Sequence, residues 1–174
     1  IRKDTLYCDD KSSSKRKACI NILGLILDML LKWFAPILSF TTEEIFQIIN
    51  QGQNSSIHLQ TFPKIPTKWK NDKLFEKWEK FKIIRKVVNS AIETKRSNKD
   101  IGSSLEAEVQ IYLNEEYLAI VKDFDLSENF IVSKAEAKKL MNSNNLFKLD
   151  EIEGIQVLVK KAKGEKCPRC WKIF

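Results

Sequence analysis

The sequence predicts an α+β fold, in which a helical first part precedes a small α/β module. Apolar residues recur every three or four positions through the first hundred residues, and they alternate with polar residues after Gly102. A third feature is a cysteine pair, Cys167 and Cys170, near the last residue, Phe174. Cysteines at this spacing are typical of zinc-binding turns. We therefore expect a helical domain at 1–100, an α/β module at 101–163 and a truncated zinc knuckle at 164–174.

Composition limits the classes of function. The 174 residues include 30 Lys+Arg and 23 Asp+Glu, which gives a net charge of +7. That excess suits a polyanionic partner such as RNA, although many basic proteins bind no nucleic acid. The 43% hydrophobic content supports a packed core. The remaining cysteines, Cys8 and Cys19, do not create the closely spaced framework of a disulfide-rich secreted domain.

The most apolar stretch is 18–36, which we predict to be the central helix of a bundle. Serines at 12–14 offer an N-cap, and Pro36 ends the helix because its ring blocks the hydrogen-bond ladder. Asp28 and Lys32 interrupt the run, which excludes the uncharged stretch of about 20 residues that a membrane span needs.

A second helix is predicted to begin at Thr41. Thr41 and Glu44 have the spacing of a capping box, and Phe40 and Ile45 occupy the hydrophobic-staple positions around it. Its expected buried face consists of Ile45, Phe46, Ile48 and Ile49. The following Gly-, Ser- and Pro-rich stretch, 51–70, reads as a connection held to the bundle by Ile57, Leu59 and Phe62.

A long helix is predicted over 71–99, because one set of apolar residues steps by three or four. The set is Leu74, Trp78, Phe81, Ile84, Val88, Ala91 and Ile92. Beyond Gly102, strict alternation predicts a strand at 105–113. We expect a short helix at 117–124, strands at 130–132 and 155–159, and a polar insert near 141–145.

The cysteine pair has three interpretations: half of a zinc knuckle, a redox pair, or incidental cysteines. We favour zinc because the strand-to-helix setting of redox pairs is missing. Zinc needs two further ligands, and the sequence contains neither a second such pair nor any histidine besides His58. Either the site is completed elsewhere or the chain is part of a longer protein, which we consider the better explanation.

Two groups of residues are candidates for nucleic-acid binding. The first lies on the long helix and comprises Arg85, Lys86, Lys95, Arg96 and Lys99. The alternative for this group is an ordinary solvated helix face with ion pairs between successive turns. The second group brackets the cysteine pair and comprises Arg169, Trp171 and Lys172. The indole of Trp171 could stack on a base, or it could pack over the metal turn.

No catalytic site is predicted. His58 has no nucleophile or ligand near it in sequence, so we interpret it as a structural or surface histidine. Five glycines leave little room for a phosphate-binding loop. The paired acids at 43–44 and 115–116 are better explained as charges at helix N-termini.

Five segments resemble the C-terminal part of bacterial-type isoleucyl-tRNA synthetases. Residues 2–9 are similar to the family's KDRLYCD, residues 34–45 to LAPILPFTAEEIW, and residues 56–59 to SVHL. Residues 101–107, IGSSLEA, are close to a family signature, and residues 164–171 resemble GEKCxRCW. The second of these blocks also occurs in the valyl and leucyl enzymes. The last two favour the isoleucine member.

The resemblance implies a class I synthetase that joins isoleucine to its tRNA with ATP. It implies that the helical bundle recognises the anticodon stem and loop, and that Cys167 and Cys170 are two of four zinc ligands. The HIGH and KMSKS motifs are not in this sequence, so ATP and magnesium are expected only on a catalytic domain outside it. The second cysteine pair is not in it either, which puts metal binding by this chain in doubt.

We therefore expect a cytoplasmic monomer that binds isoleucine-specific tRNA, with neither a membrane nor DNA as a partner. Three alternatives remain open: the same region of a valyl- or leucyl-type synthetase, the zinc-knuckle tail of a DNA-repair glycosylase, and a scaffold domain that binds no RNA.

Overall fold

The computed structural model describes residues 3–52, 54–140 and 146–174. They form two compact units, Ile1–Lys70 and Asn71–Phe174. The described part of the first unit is helical, whereas the second contains a three-stranded sheet and further helices. This mixed architecture confirms the predicted α+β class at the level of a helical part followed by a small sheet. The polar insert predicted near 141–145 lies outside the described residues.

The first unit contains α1 (Lys3–Tyr7), α2 (Ser14–Phe34) and α3 (Ser39–Ile49). The ends of α2 agree with the sequence, since the Ser13 side chain accepts a hydrogen bond from the Arg16 amide and the helix stops before Pro36. Within the residues that the structure describes, no helix is long and apolar enough to cross a bilayer.

α2 was predicted to be the central helix of a bundle, and within this unit only a small part of its surface is covered. Leu31 is the one buried residue of the helix, and it shares a small core with Ala35, Phe46 and Ile57. The short helices α1 and α3 cannot cover a helix of 21 residues. Large apolar side chains that remain exposed on α2 are Ile20, Ile22, Leu23, Leu25, Ile26, Leu27, Leu30, Trp33 and Phe34.

The capping box predicted at Thr41 is wrong. A turn after α2 leads directly into α3, whose N-cap is Leu38, and no side chain caps this end. Thr42, four residues after Leu38, is buried, and its hydroxyl donates to the Leu38 carbonyl at 2.9 Å. Phe40 is 93% exposed and forms no staple. Of the predicted buried face, Phe46 is buried, Ile45 is half-buried, and Ile48 and Ile49 are exposed.

Glu43 fastens the connection after α3. Its Oε2 accepts hydrogen bonds from the Ser56 hydroxyl at 2.8 Å and the Ile57 amide at 2.9 Å, and its Oε1 accepts one from Gln47 at 2.7 Å. The bonds from Gln47 and then Ser56 hold the pKa of Glu43 below its usual value. Ile57 is thereby buried as predicted, whereas the predicted contacts of Leu59 and Phe62 are wrong, because both are exposed.

The second unit begins with α4 (Asp72–Ser97), in good agreement with the predicted helix. Its N-cap is Asn71, whose side chain accepts from the Leu74 amide at 3.0 Å. The predicted stripe is buried from Phe81 onward and joins the core of the sheet module, while Leu74 is 48% exposed. Because α4 packs on the sheet, the compact units divide after Lys70, not at residue 100 as the sequence suggested.

The sheet has three strands, of which β1 (Ala107–Leu113) lies in the centre. β1 is parallel to β2 (Lys134–Lys139) and antiparallel to β3 (Ile155–Lys161). The crossover between the parallel strands contains α5 (Glu115–Val121) and α6 (Leu126–Phe130). Alternate residues of β1 are buried, as the period of two predicted.

The strand predicted at 130–132 is wrong. Asp125 caps α6 by accepting from the Glu128 amide at 3.0 Å, and α6 ends at Phe130. Ile131 follows in the left-handed conformation at φ 58°, which breaks any strand at this point. Phe130 and Val132 are buried in the core without belonging to the sheet. The actual strand, β2, is a mostly polar edge strand whose sequence carries little hydrophobic signal.

Candidate nucleic-acid interface

The basic residues of α4 do not form one patch. Lys86 and Lys95 are nine residues apart, about 2.5 turns at 3.6 residues per turn, so they project from opposite sides of the helix. Arg85 and Arg96 are eleven residues apart, about three turns, and share a side. The predicted cluster therefore divides into separate groups, and Lys95 and Arg96 at the end of the helix remain neighbours of Lys99.

Three of these cations have acidic partners. Lys86 lies 3.8 Å from Glu151, and the Lys95 ammonium lies 2.9 Å from Asp100. Arg96 Nη1 donates to both carboxylate oxygens of Glu93, at 2.7 and 3.0 Å. All six side chains are well exposed, and exposed ion pairs typically contribute only about 0–1 kcal/mol. A phosphate group can therefore replace these partners at little cost.

Lys99 occupies an unusual backbone position. It follows the C-cap Asn98 in the left-handed conformation at φ 62°. Its amide donates to the Arg96 carbonyl at 2.9 Å, and the Asp100 amide donates to the Lys95 carbonyl at 3.0 Å. Glycine normally fills this position, and a residue with a side chain there costs roughly 1–2 kcal/mol. Such strain is commonly found at functional sites.

Two lysines that sequence reasoning did not select lie beside this helix end. Lys160 and Lys161 close β3, and with Lys95 and Asp100 they line a cavity of about 400 Å³. The sequence placed them directly after the strand predicted at 155–159. Extending that strand by two residues and pairing it with β1 would have been needed to place them near α4.

The cysteine pair lies on a closed hairpin. Glu165 and Phe174 exchange backbone hydrogen bonds of 2.9 and 3.1 Å, and the Cys167 amide donates to the Lys172 carbonyl at 2.8 Å. The Ile173 amide donates to the Ser133 hydroxyl at 2.7 Å, which fastens the hairpin to the residue before β2. The hairpin is thus a fixed part of the second unit.

The turn favours the thiolate form of Cys167. Backbone amides of Cys170 and then Arg169 donate toward its sulfur and hold the pKa of this thiol below its ordinary value. Metal ligation by cysteine requires the thiolate. Cys170 is buried and Cys167 is half-buried. This chemistry fits two sulfur ligands of one zinc ion.

The described residues add no further zinc ligand to this cysteine pair. They contain no group of three or more His, Cys, Asp or Glu side chains able to hold a metal ion. Cys8, Cys19 and His58 belong to the other compact unit. His58 is exposed on the 3₁₀ turn Ile57–Leu59, in agreement with its interpretation as a surface histidine.

Trp171 is presented at the surface of the hairpin. Its backbone is left-handed at φ 66°, its amide donates to the Cys167 carbonyl at 2.9 Å, and 56% of its surface is exposed. An indole that packed over the metal turn as a small core would be more buried. Arg169 is exposed and Lys172 is half-buried beside it. These three candidates share the hairpin, and each forms contacts within the chain.

Comparison with known proteins decides the family. Residues 1–111 match the family described as the anticodon-binding domain of tRNA ligase. The chain belongs to this family. The match includes all five basic candidates in and just after α4, from Arg85 to Lys99. It ends within β1, so the cysteine hairpin lies outside it.

Several relatives of this chain are isoleucine–tRNA ligases. That of Pelagibacter ubique is 50% identical over 175 residues, covering 99% of this chain and 18% of the relative. Those of Bradyrhizobium diazoefficiens and Rhodopseudomonas palustris are 45% and 41% identical, covering 99% and 100% of the chain and 17% and 18% of the relatives. The chain thus spans less than a fifth of their length. The predicted resemblance to this family of synthetases is confirmed.

Proposed function

We propose that this chain is the tRNA-binding, anticodon-recognition part of an isoleucine–tRNA ligase, the enzyme that attaches isoleucine to its tRNA with ATP. The observation that carries the proposal is the anticodon-binding family match, together with identity of up to 50% to isoleucine–tRNA ligases along essentially the whole chain. The part described here performs no chemistry. ATP and magnesium belong to a catalytic domain elsewhere in such an enzyme.

The mechanism we infer is recognition by charge followed by base contacts. Exposed cations at the end of α4 and on the cysteine hairpin bind phosphate groups, which set affinity, orientation and salt dependence. Identity is read from base edges in an unpaired loop, as is usual for RNA. The exposed ring of Trp171 offers a surface on which one unpaired base stacks, which typically contributes about 1–3 kcal/mol.

A filter-binding titration tests the proposal. Isoleucine tRNA and a non-cognate tRNA are titrated with the chain at two salt concentrations. We expect tighter binding of isoleucine tRNA, and weakening of both as salt rises. Weak, equal and salt-insensitive binding to the two tRNAs would instead indicate a scaffold domain. A DNA hairpin of the same length in the same assay tests the expectation that DNA is not a partner.

The first specific prediction concerns Lys95, Arg96 and Lys99. Changing all three to alanine should weaken tRNA binding and reduce the slope of log K against log salt by up to about 2, at roughly 0.7 for each lost single-strand phosphate contact. Their ion pairs are exposed, so stability should change little. The matched control changes Lys73, Lys82 and Lys122, three exposed lysines of the same unit. Equal affinity of the two triple variants removes the predicted residues from the RNA footprint.

For the metal, we propose that Cys167 and Cys170 supply two of four ligands to a structural zinc ion, which would lock the hairpin when bound. What supports this is the pair of sulfurs on one turn and the lowered pKa of Cys167. The other ligands must come from outside the described residues.

The second prediction follows from this half-site. The 174-residue chain should lose its zinc during gel filtration in metal-free buffer, because two thiolates leave half of a tetrahedral shell unfilled. Elemental analysis of the eluted protein measures the zinc that remains, with the double variant C167S/C170S as the background. Stoichiometric zinc in a monomer, lost in that variant, would show that the site is complete within the chain.

The finer architecture is a proposal as well. We infer that the first hundred residues belong to the helical bundle typical of class I synthetases, and that the protein is a cytoplasmic monomer. The apolar surface of α2 supports the bundle, since a helix that is apolar on many sides is normally covered. Sedimentation measures the oligomeric state. In a longer protein, extended to match the relatives, the bundle should cover Leu23 and Ile26 and reduce their reaction with a chemical label dissolved in the solvent. Unchanged labelling of these two residues would contradict the bundle.

A further inference from the structure

One hydroxyl group joins the cysteine hairpin, residues 164–174, to the body of the second unit. The Ile173 amide of the hairpin donates to the Ser133 oxygen at 2.7 Å. The same hydroxyl donates its own proton to the Leu105 carbonyl, and the Ser133 amide donates to the Ala107 carbonyl at 3.1 Å. Ser133 therefore connects three segments that are distant in sequence: the turn before β1, the residue before β2, and the hairpin.

The hairpin has another attachment on its first strand. Just before the hairpin begins, the Ala162 amide donates to the Glu106 carbonyl at 2.8 Å. The Lys166 ammonium also lies 4.0 Å from the Glu106 carboxylate, but such a long contact to an exposed lysine contributes little. A segment that is held at one point can turn about that point, whereas a segment held on both strands cannot. Ser133 supplies the attachment of the second strand.

The turn that holds the hairpin also fixes the end of α4. The Glu106 carboxylate accepts a hydrogen bond from the Gly102 amide at 3.0 Å, which closes the turn between Lys99 and β1. Ile101 is buried in the core of the sheet module, so the chain is anchored on this side as well. The two candidate groups for RNA binding, at the end of α4 and on the hairpin, are thus both fastened to the turn at 102–106.

We propose that Ser133 is a positioning residue for tRNA recognition. Its hydroxyl holds the hairpin in the orientation at which the exposed Trp171 ring and the cations at the end of α4 contact one tRNA together. This inference rests on the proposed tRNA-binding function and adds to it a residue that acts without touching RNA. Two contact surfaces on one rigid body bind a common partner better than the same surfaces joined flexibly, because less freedom is lost on binding.

The strength of the bond from Ile173 to Ser133 limits the size of the effect. Without this bond the hairpin adopts further orientations, and the apparent dissociation constant rises by the inverse of the fraction that remains competent to bind. The net contribution of one hydrogen bond shifts such an equilibrium by about two- to twelvefold. The bound complex keeps every phosphate contact, so the slope of log K against log salt should not change.

The test compares tRNA binding by the unaltered chain, Ser133→Ala, Ser133→Thr and the control Ser90→Ala. The control removes a hydroxyl that donates to the Lys86 carbonyl within α4, at 3.0 Å. Ser133→Ala should bind isoleucine tRNA about two- to twelvefold more weakly at an unchanged salt slope. Ser133→Thr keeps the hydroxyl and should retain the affinity of the unaltered chain, as should Ser90→Ala. An equal loss in Ser133→Thr and Ser133→Ala would show that the hydroxyl is not the group that matters.

A double-mutant cycle shows whether Ser133 acts through the hairpin. A triple variant with alanine at Arg169, Trp171 and Lys172 removes the side chains by which the hairpin is proposed to contact RNA. If Ser133 only orients these side chains, adding Ser133→Ala to the triple variant should cause no further loss of affinity. A loss of the same size in both backgrounds would mean that Ser133 acts on the unit as a whole, and it would overturn the positioning role.

The outcomes separate this inference from the proposed function. If the unaltered chain does not bind tRNA, the proposed function fails and the positioning role fails with it. If that chain binds tRNA and Ser133→Ala binds equally well, the positioning role alone is overturned. Hydrogen exchange tests its structural basis, because Ser133→Ala should expose the Ile173 amide while the amides of β1 stay protected. Retained protection of Ile173 in that variant would mean that this bond does not hold the hairpin.

Discussion

Replacing Phe81 with alanine is expected to lower the free energy of unfolding of the second unit by about 3–5 kcal/mol, which is typical for removal of a buried aromatic ring. Phe81 is 1% exposed at the centre of the core that joins α4 to the sheet. Its ring stacks on Phe124 at 4.3 Å between centroids and on Phe130 at 5.6 Å, and it meets the edge of Trp78 at 5.5 Å. The ring therefore joins α4 to the end of α6 and to the segment between α5 and α6.

The size of this effect decides whether the helix remains attached to the sheet. Single domains are usually stable by about 5–15 kcal/mol, so the loss is a large share of the total. Urea unfolding followed by NMR of the Val109 and Ile111 methyl groups measures it within the sheet. The control is Phe75→Ala on the same helix, where the ring is 64% exposed and the change should stay within about 0.5 kcal/mol. A loss below about 1.5 kcal/mol for Phe81→Ala would mean that the ring cluster is not the core.

The same helix shows what periodicity could predict. Apolar spacing gave α4 and its buried stripe within two residues at each end, because the stripe meets a sheet in the same unit. The apolar run of α2 predicted the central helix of a bundle, yet Leu31 is the one buried residue of that helix in its unit. Periodicity reports which side chains prefer an apolar environment, and it carries no information on whether a partner is present to cover them.

The strands show the complementary limit. β1 and β3 alternate cleanly because one face of each is buried, and both were predicted. β2 is an edge strand with the sequence KAEAKK, and its pairing with β1 comes from topology rather than from hydrophobicity. The apolar segment before it, Phe130 to Val132, resembled a strand but fills the core from a helix end.

For the candidate interface, residue types could be predicted but not their grouping. The sequence selected Lys95 and Lys99, which are close to one another along the chain. It did not select Lys160 and Lys161, which line one cavity with Lys95 only because β3 pairs antiparallel with β1 beside α4. Lys95 and Lys160 are far apart along the chain, and their proximity depends on which strands pair and in which register, which local sequence patterns do not show.

Gly164 is the position where a single methyl group should have the largest local effect. At φ 133° its backbone is in a region that residues with side chains rarely adopt. A Cβ at this position would lie 2.0 Å from the backbone carbonyl oxygen of Phe174, far inside van der Waals contact. Because that atom belongs to the main chain, it cannot rotate away as a side chain would. Gly164→Ala should therefore separate the two strands of the cysteine hairpin.

The expected result is a local loss of structure that leaves the sheet intact. Hydrogen exchange should show that the amides of Cys167, Trp171 and Phe174 lose their protection, since their backbone acceptors lie across the hairpin. Amides of β1 should remain protected. The matched control is Gly102→Ala, where the nearest atoms to an added Cβ are the Glu106 carboxylate oxygens at 3.5 and 3.7 Å, so the methyl group fits. Retained protection of all three hairpin amides in Gly164→Ala would mean that the glycine is not what allows the cysteine turn to close.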